Sequence, residues 1–129
     1  MRRRMRAAAV AFGLTAGAAP GWAQVSDADF AAETFGSLAA LCGAAAEDPR
    51  FEVAIGLCLG WIEGAGQFYE QMVSDPRFGL DPVACPAGEI SREDVRSVIV
   101  SWAADNPDAA PDPALLGVMN AVGAAYPCE

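Results

Sequence analysis

The 129-residue sequence contains no histidine and no lysine; its eight basic side chains are all arginines. Without imidazole or a primary amine, a hydroxyl or thiol nucleophile has no ordinary base beside it, and the commonest metal ligand is missing. Carboxylates are plentiful, but no spacing such as a calcium loop singles any out. These absences argue against an enzyme and against a bound cofactor or metal, and leave binding as the expected mode of action. Positive charge is scarce as well. Four arginines fall within the first six residues, so from Gln24 onward only Arg50, Arg77, Arg92 and Arg96 face all 17 acidic residues, a net charge of −13. Nucleic acid and anionic lipid are excluded as expected partners by that balance, which suits a basic or mixed-charge protein surface and equally serves plain solubility.

The first residues are of a different kind. Met1-Arg2-Arg3-Arg4-Met5-Arg6 precedes a small, apolar run from Ala7 to Ala19 that is too short to span a bilayer. Gly21 and Ala23 place small residues at the −3 and −1 positions of a cleavage site. A cleavable signal peptide over residues 1–23 is expected, with export by the general route to a periplasm and a mature domain over 24–129. No cysteine adjoins the cleavage point, so no lipid anchor is expected, and no membrane association after cleavage.

Four cysteines, Cys42, Cys58, Cys85 and Cys128, all follow that point. An even number in a short exported chain reads as two disulfides, and the lack of any C-x-x-C spacing weighs against zinc.

Sustained alternation of the strand type is absent, whereas four segments carry apolar residues at spacings of three and four. Ser26 and Asp29 form a capping box for a first helix over about 27–44, with Phe30, Thr34, Leu38 and Leu41 on one face. Asp48-Pro49 marks the start of a second helix. Between Phe51 and Val73 it is apolar on two faces, Ile55, Cys58, Ile62 and Tyr69 on one and Ala54, Leu57, Trp61, Phe68 and Met72 on the other. Such a helix is expected to be central, packed on both sides by neighbours or by a partner chain. Breakers then crowd residues 74–89, a long loop. Ser91 and Asp94 cap a third helix that stops at Asn106-Pro107, and Asp112-Pro113 opens a fourth through Leu115, Leu116, Met119, Val122 and Tyr126. The expected fold is all-α: one bundle of about four to five helices stapled by two disulfides. Antiparallel packing of consecutive helices favours Cys42–Cys58 and Cys85–Cys128, with Cys58–Cys85 and Cys42–Cys128 as the competing arrangement.

Several residues carry two readings. Gly60 and Gly64 lie a turn apart on the second helix, where they serve either packing within the chain or, with Trp61, contact with a second copy in a homodimer. Trp61 and Trp102 fall in apolar stripes and read first as core. Phe78 and Leu80, with Arg77 and Asp81 in the breaker-rich loop, either fold back over the core or present an anchor to a partner. Asp105, Asp108 and Asp112 either meet a basic rim or serve as solvated turn and cap residues.

Together, Cys42 at the end of the first helix, Cys58-Leu59-Gly60-Trp61-Ile62-Glu63-Gly64 in the second, Cys85-Pro86 ahead of a capped helix, Trp102, Pro107 and the terminal Tyr126-Pro127-Cys128 form a pattern. From about Phe30 to Cys128 it resembles the Rap/Tai family of periplasmic immunity proteins, which protect bacteria against type VI secretion amidase effectors. Trp61 stands where that family usually has tyrosine, and the connection between helices two and three is long. The resemblance implies a helical, disulfide-bonded, often dimeric protein that plugs the active-site cleft of a peptidoglycan-cleaving amidase. The alternative drawn from composition is a periplasmic acid-stress chaperone, its carboxylates neutralising at low pH, or a structural envelope protein with no toxin partner.

Overall fold

Residues 24–129 are described by the computed structural model; the leader expected over 1–23 lies outside them. At the centre stands the shortest of four helices, α1 (Phe35–Cys42). Phe35, Leu38, Leu41 and Cys42 follow one another at helical spacing and have no exposed surface. Thr34 caps the helix, its hydroxyl accepting the Ser37 N–H at 3.2 Å. Around α1 pack α2 (Phe51–Ser74), α3 (Arg92–Asp105), α4 (Ala114–Ala125) and a 3-10 turn at Asp27–Ala31, while a second 3-10 turn, Pro107–Ala109, precedes α4. The described residues contain no strand, only one isolated bridge between Thr34 and Pro113. The molecule is an all-α bundle. Among the described residues no helix is long and apolar enough to cross a membrane.

Three sequence expectations need correction. A first helix over 27–44 does not exist as one element: Ala32 turns left-handed at φ 48°, and the Ser26–Asp29 box caps a single 3-10 turn. The cause is a distant backbone partner. Phe35 N–H donates to the Asp112 carbonyl (2.8 Å), Gly36 N–H to that of Ala110 (2.9 Å) and Ala114 N–H to that of Glu33 (3.0 Å). These bonds tie the start of α1 to the start of α4 and replace the helical bonds a continuous helix would have made there.

The second correction concerns the centre of the bundle. Helix α2 buries only Ala54, Cys58 and Ile62, while Val53 is 63% and Phe68 64% exposed. With 24 residues it runs to about 36 Å, whereas the eight of α1 give about 12 Å, so the second half of α2 overhangs the element it packs on.

Third, α2 begins at Phe51 rather than Pro49, after a turn in which Asp48 binds both the local chain and a distant segment. Its buried carboxylate accepts the Arg50 N–H at 2.8 Å and the Val25 N–H, 23 residues away, at 3.0 Å. Likewise α4 opens at Ala114 with Pro113 as its cap, and the Asp112 side chain caps nothing.

Elsewhere the local signals act as read. The Ser91 hydroxyl accepts the Asp94 N–H (3.1 Å), the Asp94 carboxylate accepts the Ser91 N–H (2.8 Å), and α3 ends before Asn106. Ser91→Ala should cost about 1 kcal/mol, seen as a lower melting temperature with unchanged helical circular dichroism.

The two disulfides are Cys42–Cys58 and Cys85–Cys128. The first lies wholly buried between α1 and α2; the second is exposed and fastens the long loop to the chain's last residues. Arg96 Nε donates to the Cys42 carbonyl at 2.8 Å, so α3 satisfies an acceptor left open at the end of α1.

Acid should loosen this arrangement in a defined window. The Arg50 N–H and then the Val25 N–H hold Asp48 below the ordinary carboxylate pKa; the Arg77 guanidinium does so for Asp75 and the Ser91 hydroxyl for Asp94. A depressed folded-state pKa contributes stability that is complete above the unfolded value, about 4, and is lost as pH falls through the folded value. The melting temperature should be flat from pH 7 to about 5 and fall below about 4. Asp48→Asn should reduce part of that fall; an unchanged acid limb would show that Asp48 is not among its causes.

Candidate partner-binding surface

The loop after α2 begins with an Asp-stabilised turn. Asp75 Oδ1 accepts the Arg77 N–H at 2.9 Å, and Arg77 Nε returns to both carboxylate oxygens at 3.0 and 2.9 Å. The guanidinium also lies over an aromatic face, its Cζ 5.9 Å from the Phe78 ring centroid. Gly79 follows at φ 58°, a left-handed turn that suits glycine. The result is a knuckle on which Phe78 and Leu80 are each 48% exposed, with Asp81 beside them. Of the two readings open from the sequence, folding back over the core is therefore not what these side chains do.

Asp105 and Asp108 are exposed on a different connection, the one between α3 and α4. No hydrogen bond or ion pair joins them to the Arg77–Asp81 knuckle among the described residues. The sequence-derived contact residues thus lie on two different connections.

Gly60 and Gly64 are not filling a tight contact within the chain. No heavy atom lies within 4 Å of where a Cβ would stand at Gly56, Gly60 or Gly64, which occupy successive turns of α2. The face they form is open, flanked by exposed Val53, Leu57 and Phe68. Since glycine in a helix costs about 1 kcal/mol relative to alanine, Gly60→Ala should raise stability by about that amount in the isolated chain, readable by urea titration. Trp61 lies beside this face, half-buried against the core, and Trp102 packs edge-on to Phe35 with centroids 5.2 Å apart.

A feature the sequence reading missed lies where α2 overhangs. A cleft of about 560 Å³ opens between its second half, the 83–92 segment, the start of α3 and one face of α4. Trp61, Ala65, Ile90, Val95, Val118 and Met119 supply much of its apolar wall. One side is a strap. Val83 N–H donates to the Tyr69 hydroxyl at 2.7 Å, Cys85 N–H to the Tyr126 carbonyl at 2.8 Å, and the Val83 carbonyl lies so close to Gly123 that a Cβ there would stand 2.9 Å away. The Cys85–Cys128 bond completes the fastening. Because the cleft joins residues more than fifty positions apart, no local pattern signals it.

Among the described residues no group of histidine, cysteine or acidic side chains is placed to hold a metal ion. Of the four arginines here, Arg50 pairs with Asp27 and Asp48, Arg77 with Asp75 and Arg96 with Glu93, so most carboxylates have no cation beside them. The outer surface is strongly negative.

Comparison with known families gives one finding: residues 34–128 match the family model of Rap1a immunity proteins. No curated protein and no solved structure matches the chain.

Proposed function

The chain belongs to the Rap1a immunity protein family, and on that premise we propose that it is exported to the periplasm, where it binds and occludes a peptidoglycan amidase effector of a type VI secretion system. The match over residues 34–128, nearly the whole of the expected mature domain, is the observation that carries the reading. Occlusion needs a surface whose shape is set before the partner arrives, since ordering side chains and loops on binding costs affinity. Two disulfides and the pinned Arg77 turn supply such a surface, and the missing acid–base inventory fits a protein that blocks chemistry rather than performing it.

In this reading Phe78 and Leu80 are the apolar anchors, Arg77 and Asp81 flank them, and Asp105 and Asp108 meet basic groups at the rim. A second copy packs on the open face of α2 at Gly60, Trp61 and Gly64. Signal peptidase cleaves after Ala23, leaving Gln24 as the first residue; intact-mass measurement on a periplasmic extract tests that step.

The central experiment is co-expression with the periplasm-directed amidase effectors of the same genome. Growth should be restored by one of them, and the two proteins should coelute on gel filtration. Phe78→Ala should weaken that complex by 2 kcal/mol or so, about thirtyfold, without lowering the melting temperature. If none of the amidases is bound or neutralised, the reading is wrong.

A further inference from the structure

The knuckle and the acidic connections leave the cleft beside the overhanging half of α2 unused. Its walls are apolar side chains from α2, α3, α4 and the strap, and its lining includes three carboxylates, Glu63, Glu70 and Glu89, against a single cation, Arg92. All three are exposed; Glu63 accepts a hydrogen bond from the Gln67 amide at 2.8 Å, and none is in an ion pair. Tyr69, the one phenol in the lining, is engaged with the Val83 N–H. The walls therefore reward burial of an apolar group, and of the four charged groups in the lining three are carboxylates without an ion-pair partner, acceptors for a cation, with Arg92 the exception.

Water held against such walls is displaced favourably by an aliphatic side chain, and a guanidinium or ammonium one turn away would meet carboxylates within the screening distance of physiological salt, about 8 Å. An acidic segment would meet the same carboxylates as repulsion. A second copy of this chain fits poorly for that reason, since from Gln24 onward it carries only four arginines among 17 acidic residues. We infer that this cleft is a receptor for a segment of the effector that inserts an apolar side chain flanked by basic residues, a second contact separate from the Phe78 knuckle. The inference rests on the effector-binding reading above, but names a different surface and a specific chemistry.

Gly66 gives a clean test. It lines the cleft on α2, and no heavy atom lies within 4 Å of where its Cβ would stand, so the first carbon of the side chain added by Gly66→Leu meets nothing and the added bulk stands at the cleft wall. The same substitution favours the helix, so loss of binding cannot be ascribed to unfolding. Two probes are titrated into the full mature chain: a short synthetic peptide of leucines flanked by arginines, and its twin with glutamate for arginine. The reporter is tryptophan emission, because Trp61 lines the cleft and Trp102 does not.

The arginine peptide should bind and shift the emission, the glutamate twin at least about tenfold more weakly, and Gly66→Leu should weaken the arginine peptide by roughly tenfold or more with an equal or higher melting temperature. Glu70→Arg should weaken it too and flatten its salt dependence. Binding of neither peptide, equal binding of both, or unchanged binding by Gly66→Leu would overturn the proposal. So would an occupant that is a second copy, seen as a dimer on light scattering that Gly66→Leu dissolves. The amidase complex separates the two readings. If an amidase binds parent and Gly66→Leu alike, the cleft is not the receptor and the immunity reading stands. If the arginine peptide binds as expected but no amidase does, the immunity reading falls.

Discussion

Gly117→Ala is expected to lower the free energy of unfolding by about 3 kcal/mol, the upper end for overpacking a filled core, and the melting temperature by roughly 10–20 °C. A Cβ at this position would overlap the ring of Phe35, whose side chain is fully buried and set edge-on against Trp102 at an interplanar angle of 76°. Relief requires either the ring to turn or α4 to retreat. The ring is confined by Trp102. Retreat of α4 is opposed by the three backbone hydrogen bonds that tie residues 33–36 to 110–114. Thermal unfolding followed by circular dichroism checks the prediction. Phe35→Leu in the same chain should restore part of the loss, so the double variant should be less damaged than the sum of the single ones. An unchanged melting temperature for Gly117→Ala would show that the α1–α4 contact is looser than described.

The same substitution at Gly60 is expected to have the opposite sign, although both glycines are helical. Helix propensity gives the same gain of about 1 kcal/mol at each position, so the outcome turns on what stands where the methyl group would go. At Gly60 there is nothing within 4 Å; at Gly117 there is an aromatic ring. Should Gly60→Ala instead weaken a self-associated form, the open face of α2 would be an interface between copies.

This contrast also marks what can be read from the chain alone. Where a signal and its consequence lie within a few residues, as with Ser91 and Asp94 at the start of α3 or Asn106-Pro107 at its end, the element follows directly. Cys42 and Cys58 lie in consecutive helices packed against each other, and their bond follows from that neighbourhood. The break at Ala32 does not, because its cause is pairing with residues some eighty positions away. Thr34 fits an apolar helical stripe by spacing and acts as a cap instead, for the same reason. Apolar periodicity on both faces of α2 is real, but whether a face is covered depends on the length of the neighbouring helix, which periodicity does not encode. Hence the open glycine face and the cleft are properties of assembled elements. Phe78 and Leu80 stood out from the sequence as apolar residues among breakers; their exposure depended on Asp75 fixing the turn and Gly79 reversing it.

The second large effect concerns the two disulfides, for which loop length and burial point in opposite directions. By loop closure alone the Cys85–Cys128 bond, spanning 43 positions, should stabilise by about 4 kcal/mol and the Cys42–Cys58 bond, spanning 16, by about 3. Burial reverses the order. Cys42 and Cys58 have no exposed surface and pack among Leu38, Leu41 and Ala54, so replacing both with alanine also empties core volume, adding roughly 1–2 kcal/mol to a total near 5. Cys85 and Cys128 are exposed, and their removal leaves no cavity. Access differs in the same sense, since thiol–disulfide exchange requires a thiolate to reach the sulfur. Rising concentrations of dithiothreitol should therefore open Cys85–Cys128 first, with the chain still folded, and Cys42–Cys58 only as the core unfolds; alkylation and peptide mass mapping give the order. Loss of the outer bond should free the strap and alter Trp61 emission while leaving most helical signal in place. Simultaneous reduction of both bonds, or a smaller loss from the Cys42→Ala, Cys58→Ala pair than from the outer pair, would mean that loop entropy outweighs packing in this fold.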